Sequence, residues 1–239
     1  MNALRGISVA FLGIWLSACS TMGGNDATND PFEATNRQVF AFDEKVDRNI
    51  LLPTAAFYVQ VVPGPVRDSV HNFLANLDDP IIFANDILQG ETKRGAQTMG
   101  RFVVNTTAGV GGLFDVAAKA GVPQHGEDFG QTLAVWGVPE GPYLVLPFLG
   151  PDPPRDATGQ LVDYLFDPTT YLRYKQHIWW SAGREVVNVI DIRARNAAIV
   201  QGIERGSVDY YASVRSLYRQ HRQNEIDNGK TNTNNLPNF

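Results

Sequence analysis

The sequence predicts a mainly α protein, a single helical domain interrupted by one proline- and glycine-bounded loop segment. Three observations predict it. Apolar residues recur at helical spacing through most of the chain, and Asp-Pro pairs and glycines punctuate those stretches at short intervals. No series of alternating apolar and polar residues bounded by hairpin residues appears, so a sheet-based fold is not expected. A chain of 239 residues fits one domain with tails. Its net charge of −5, with Lys and Arg scattered rather than clustered, argues against nucleic acid as a partner.

The first element is an export signal over residues 1–18. Met1 to Arg5 carries one positive charge, Gly6 to Leu16 is apolar, and Ser17 and Ala18 are small. Leu16-Ser17-Ala18-Cys19 resembles the bacterial lipobox, which implies cleavage before Cys19 and lipid attached to its thiol. Cys19 is the single cysteine, so no internal disulfide is expected. Acyl chains bury about 0.8 kcal/mol per CH₂, enough for an anchor that sits on a membrane without spanning it. Ser20 stands where an Asp would mark inner-membrane retention, so the resemblance implies the outer membrane, periplasmic side. Residues 19–29 are polar and small, a flexible tether.

Helices then follow one another. Asp30 and Pro31 suit a cap and first position, and Val39, Phe40, Phe42 and Val46 share a face until Pro53. Thr54 to Val62 is apolar on most sides, which suits a core or lipid. Val66, Val70, Phe73, Leu74 and Leu77 mark a helix, and Asp79-Pro80 reads as the start of another that ends at Gly90. Glu91 to Asn105 continues with Ala96, Met99, Phe102 and Val103 until Gly109, Gly111 and Gly112, whose role is close helix packing. Short helices over Leu113–Ala120 and Glu127–Trp136 stop at Gly121 and Gly137. Pro142-Tyr143-Leu144-Val145-Leu146-Pro147 is an apolar run between prolines, far short of the roughly 20 residues that cross a bilayer as helix. It is a buried core segment, a loop dipping into a membrane interface, or the wall of an apolar passage. Asp152 to Asp156 reads as a polar turn, and Asp167-Pro168 as the start of a helix carrying Tyr171, Leu172 and Tyr174. A further helix spans Val186 to Ile203. In the last helix, capped by Ser207, Tyr210, Tyr211, Val214, Leu217 and Tyr218 face one side and Arg215, Arg219 and Arg222 the other. Residues 224–239 read as a disordered polar tail.

No enzymatic constellation emerges, so the chain is not expected to be an enzyme. His71, His125, His177 and His221 lack ligand spacing, and neither a Gly-x-Ser-x-Gly elbow nor a phosphate loop is present. Asp79 of the Asp78-Asp79 pair is accounted for as a helix cap. No metal or cofactor is expected beyond the lipid on Cys19.

Asn29-Asp30-Pro31-Phe32-Glu33, Asn36-Arg37, Leu88-Gln89-Gly90, Gly109-Val110-Gly111-Gly112-Leu113-Phe114-Asp115, Phe129-Gly130-Gln131-Thr132-Leu133, Gly141-Pro142-Tyr143 and Leu146-Pro147-Phe148 together resemble the MlaA (VacJ) lipoproteins. The resemblance runs from about Asn29 to Asp156. It implies a helical domain over 30–223, ring-like around a central amphipathic channel and embedded in the inner leaflet of the outer membrane. It also implies removal of phospholipid from the outer leaflet, a trimeric porin as partner and a soluble periplasmic carrier as recipient. The channel or gate loop it points to contains Gly130, Trp136, Gly137, Gly141, Pro142, Tyr143 and Pro147. Gly137 and Gly141 would give it mobility, and Trp136 and Tyr143 suit an interface. Thr35, Asp43 and Leu149 depart from the family's usual residues. Two other readings compete: an adaptor lipoprotein that scaffolds a porin or the cell wall, and a lipid hydrolase, for which no activated nucleophile is found.

Overall fold

The computed structural model describes residues 29–171 and 177–228. The expected export signal, Cys19, the tether through residue 28, Leu172, Tyr174 and the tail beyond Asn228 lie outside the described residues. Of the unit ending at Pro31 only three residues are described, and the body begins at Phe32.

The described body is helical apart from one minimal hairpin. Helix α1 spans Glu33–Val46 and continues through a π-helical turn, Asp47–Leu51, into α2, Leu52–Val61. The residue at its N-cap position is Phe32 rather than the expected Asp30, and Arg37 Nε donates to Glu33 Oε1 at 2.8 Å. Helix α3 is one continuous element, Gly64–Leu88, where two helices were expected. Pro80 lies inside it, and Asp79 is a buried interior residue rather than a cap. Proline removes one backbone donor, but packing of α3 along α4, Thr92–Thr107, holds the helix on both sides of it. Gly90, at φ +79°, ends α3, with Glu91 N–H reaching back to the Asp86 carbonyl.

The glycine cluster behaves as a packing device. A Cβ on Gly112 would lie 2.6 Å from the Asn76 side chain, and one on Gly109 would lie 2.2 Å from the Phe114 carbonyl oxygen. Short helices α5, Val116–Lys119, and α6, Phe129–Val135, are capped by Asp115 and Asp128, whose carboxylates accept from Ala118 N and Gln131 N. Strands β1, Val145–Leu146, and β2, Gly150–Pro151, pair antiparallel. Helix α7, Pro154–Phe166, occupies the stretch whose start was expected to be a polar turn, and Arg155 and Asp156 are buried in it. Pro168–Tyr171 forms only a 3₁₀ turn.

The expected Val186–Ile203 helix is divided at Asn196 into α8, His177–Arg195, and α9, Ala197–Gly206. Helix α10, Tyr210–Ile226, is capped by Asp209, not Ser207, whose hydroxyl turns back to the Ile203 carbonyl. It runs three residues into the stretch read as tail.

Sequence period and burial disagree in a systematic way. On α4 the buried residues are Gly95, Thr98, Arg101 and Asn105, while Met99 and Val103 face outward at 40 and 51% exposure. Helix α2 buries only Ala55 and exposes Phe57, Val59 and Val61. Among the described residues, buried polar and charged side chains outnumber buried apolar ones. The small apolar core is Tyr143, Val145 and Tyr211, against which Val39, Phe40 and Tyr218 pack. No described helix is long and apolar enough to cross a membrane.

Candidate functional site

The interior is held by guanidinium–carboxylate contacts that reach between elements distant in sequence. Arg222 of α10 donates to both oxygens of Asp128, at 2.6 and 2.7 Å, and to Asp156 Oδ1 at 2.9 Å. Burial works against the charge on Arg222, but these two carboxylates raise its pKa above the ordinary arginine value. Asp156 also receives Arg155 Nε at 2.9 Å and the Tyr218 hydroxyl at 2.8 Å. Burial would raise the Asp156 pKa; the hydrogen bonds from Arg222 and Arg155 outweigh it and hold the carboxyl below its usual range. Arg222, expected on the polar outer face with Arg215 and Arg219, is therefore an interior tie between α10, α6 and α7. A second tie is Asp191, which accepts from the Tyr58 hydroxyl at 3.1 Å and Arg195 Nε at 2.8 Å and lies 3.1 Å from His71 Nδ1. It joins α2, α3 and α8.

This frame carries the loop from Gly137 to Pro153. Asn36, buried on α1, brackets the hairpin: its Nδ2 donates to the Tyr143 carbonyl at 2.9 Å and its Oδ1 accepts from Val145 N at 3.1 Å. Asp43 Oδ1 accepts from Phe148 N at 2.9 Å, and the Phe42 and Phe148 rings meet edge to face with centroids 5.4 Å apart. Phe148, at φ +68°, and Leu149 form the hairpin tip and are 74 and 62% exposed. The two departures Asp43 and Leu149 thus meet at one hairpin.

The residues expected in the gate loop separate into distinct settings. Trp136 is half exposed, donates Nε1–H to the Leu88 carbonyl at 3.1 Å and stands edge-on to Phe129. Gly137, exposed at φ +89°, closes α6. Gly141 has φ +82°, and a Cβ there would lie 3.3 Å from the Pro154 ring, so the position is pinned as well as turned. Pro142 is partly buried beside it and Pro147 is exposed in the hairpin turn. Tyr143, expected at an interface, is instead 1% exposed, with its ring edge-on to Tyr211 and Tyr218. Gly130 is buried, and a Cβ there would meet Arg222 Nη2 at 2.5 Å and Asp156 Oδ1 at 2.7 Å. Gly159 faces it so closely that its own Cβ would lie 2.3 Å from Gly130 N. These two glycines permit the α6–α7 crossing.

Below α6 a cleft of about 540 Å³ opens between α3, the 124–128 segment, α7 and the end of α10. Asp78, Glu127, Asp128, Asp163 and Glu225 line it, with Gln131, His125 and Ile81 between them. Beside it, ligand atoms of Asp86, His125 and Glu127 lie within 4.8 Å of one another. Arg94 Nη2 already contacts Glu127 at 2.6 Å, Thr98 donates to Asp86 at 2.6 Å and His125 Nε2 lies 3.1 Å from Asp86. Each member of that grouping already has a protein partner. Sequence spacing did not reveal it, because Asp86 is on α3 and its partners arrive from a loop 39 positions on.

Comparison with known proteins gives this arrangement a family. The model of the MlaA lipoprotein family matches residues 28–225. The chain belongs to the MlaA lipoprotein family. The chain is similar to the intermembrane phospholipid transport system lipoprotein MlaA of Escherichia coli K12, at 34% identity over 93% of this chain and 89% of that protein. An uncharacterised protein of Rickettsia felis is 37% identical over 82% of this chain and 78% of its own. A solved structure presented as the structural basis for maintenance of bacterial outer membrane lipid asymmetry superposes with a TM-score of 0.75 and 37% identity, covering 82% of this chain and 98% of that one. The MlaA family match thus spans the helices beyond Asp156, where motifs alone were thin, and includes Arg222.

Proposed function

We propose that this protein is an outer-membrane lipoprotein that removes phospholipid from the outer leaflet and passes it to a soluble periplasmic carrier, without making or breaking a covalent bond. The inverted burial pattern carries the reading. Met99 and Val103 point outward from α4, whose buried face carries Thr98, Arg101 and Asn105, Phe57 and Val61 point outward from α2, which buries only Ala55, and no described helix is long and apolar enough to cross a membrane. Each such side chain, 40–64% exposed, forgoes part of the roughly 1.5–3 kcal/mol of full burial if it stays in water. Lipid around the body removes that cost, and polar groups inside supply a path for a headgroup. The kinship with proteins named for intermembrane phospholipid transport gives the cargo. In this reading Cys19 carries the lipid anchor, the body lies in the inner leaflet on the periplasmic side, and a trimeric porin is the neighbour that gives access to the outer leaflet. The loop from Gly137 to Pro153 borders the amphipathic channel, with the Phe148–Leu149 tip in the lipid.

The test is outer-leaflet phospholipid in cells lacking the protein. Exposure should rise on deletion, fall again with the wild type and fall less with Cys19→Ala. An unchanged level in the deletion would contradict transport and favour a scaffold that holds a porin or the cell wall.

A further inference from the structure

The cleft beneath α6 is unusual in its charge balance. Five carboxylates line it, and the guanidiniums that reach them are shared with others: Arg184 bridges Asp78 and Asp167, Arg94 serves both Glu127 and Asp86, and Arg222 binds Asp156 as well as Asp128 and Glu225. Asp163 accepts from Asn85 Nδ2 at 2.8 Å and Phe129 N at 3.0 Å and has no guanidinium among its contacts. Among the described residues no arginine or lysine lines the cleft, and His125 is the one cationisable lining group.

A second, independent feature is Gln131. It lines the same cleft and is 2% exposed, and its Nε2 donates to Asp128 Oδ2 at 3.1 Å. No donor meets its Oε1. A buried amide oxygen without a donor costs roughly 1–3 kcal/mol, which a ligand N–H relieves. The cleft therefore offers acceptors, and a volume of about 540 Å³ suits a headgroup rather than a bare ion. Ile81 and Ile82 add apolar surface for methylene groups.

We propose that this cleft receives the ammonium group of an ethanolamine phospholipid and disfavours glycerol headgroups, which bring negative charge and no cation. An –NH₃⁺ group has three donors to share between the carboxylates and Gln131 Oε1. The burial that raises the pKa of Glu127 and Asp163 above ordinary carboxylate values is the same desolvation that a bound cation would offset. The assignment rests on the phospholipid-transport reading and adds the headgroup to it.

The full-length lipoprotein is exchanged into nanodiscs of equal phosphatidylethanolamine and phosphatidylglycerol, and the lipid retained on the protein after detergent extraction is weighed by native mass spectrometry. Ethanolamine lipid should be enriched about tenfold, the ratio one further charged contact of about 1.4 kcal/mol supplies. Asp78→Asn combined with Glu225→Gln should bring the ratio close to one. Both residues are partly exposed, and Arg184 and Arg222 keep other carboxylates, so the fold should persist by circular dichroism. Equal retention of the two lipids by the wild type would overturn the headgroup assignment and leave transport standing. Absence of any retained lipid would overturn both. Saturable binding of magnesium chloride alone, abolished by the same double change, would also overturn the assignment by making the cleft a metal site.

Discussion

At the scale of single residues, polar and charged groups fill much of the described interior. Asp79 is 2% exposed, and burial, reinforced by Asp115 and Asp78 and opposed by Arg101 and His125, pushes its pKa up to about 7. A carboxyl raised in this way holds its proton in the folded state at pH values where the unfolded chain, near 3.9, has released it. Stability is therefore lost as pH rises from about 4 to 7. Asp79→Asn should remove that loss: its thermal midpoint should exceed the wild type's at pH 8, by the equivalent of about 4 kcal/mol, and converge with it near pH 4. Arg222 is the opposite case. Arg222→Met leaves half-exposed Asp128 without a guanidinium and buried Asp156 with Arg155 alone, and should cost about 3 kcal/mol in urea unfolding, with Arg222→Lys intermediate. Asn36→Ala removes the bonds to the Tyr143 carbonyl and the Val145 N–H and should cost about 2–4 kcal/mol, with faster amide exchange at Val145 as the readout specific to the hairpin. The sequence showed Arg222 among the outward arginines of α10 because a helical wheel assigns charge to solvent. Nothing local to α10 announces that Asp128 and Asp156, 94 and 66 positions away, await it.

At the scale of elements, most helical stretches were legible and their orientation was not. The 3.6-residue period of α3, α4 and α10 stands in the sequence, as do the glycine stops at Gly90, Gly121 and Gly137, each at positive φ. A period, however, is the same whichever face turns inward, and Met99 and Val103 mark a stripe of α4 that faces out. Asp79-Pro80 resembled a helix start because cap and first-position chemistry is local, whereas the packing that carries α3 past Pro80 is not. Helix α7 was missed because buried Arg155 and Asp156 read as turn polarity. The candidate loop was legible as a stretch, but its glycines divide between turn geometry and packing: Gly137 and Gly141 take left-handed backbone, while Gly130 makes room for Arg222, as Gly159 on α7 makes room for Gly130. Gly159→Ala therefore sets a Cβ against backbone that has no slack, and should lower stability by about 1–3 kcal/mol by chemical denaturation. Gly141→Ala should cost about 1–2 kcal/mol from the left-handed backbone and the Pro154 contact, and should raise outer-leaflet phospholipid in cells.

At the scale of the whole molecule, the proposed function requires the outward apolar surface to lie in lipid and the polar interior to serve the cargo. Composition did not disclose this, since the same residues in another arrangement would fill an ordinary core. Nitroxide labels placed singly at Phe57, Val103 and Phe148, with Arg48 as the polar reference, measure it directly in the lipidated protein reconstituted in bilayers. The first three labels should collide with dissolved oxygen far more than with an aqueous nickel chelate, and the Arg48 label should do the reverse. Equal chelate access at all four positions would put those faces in water and contradict the account.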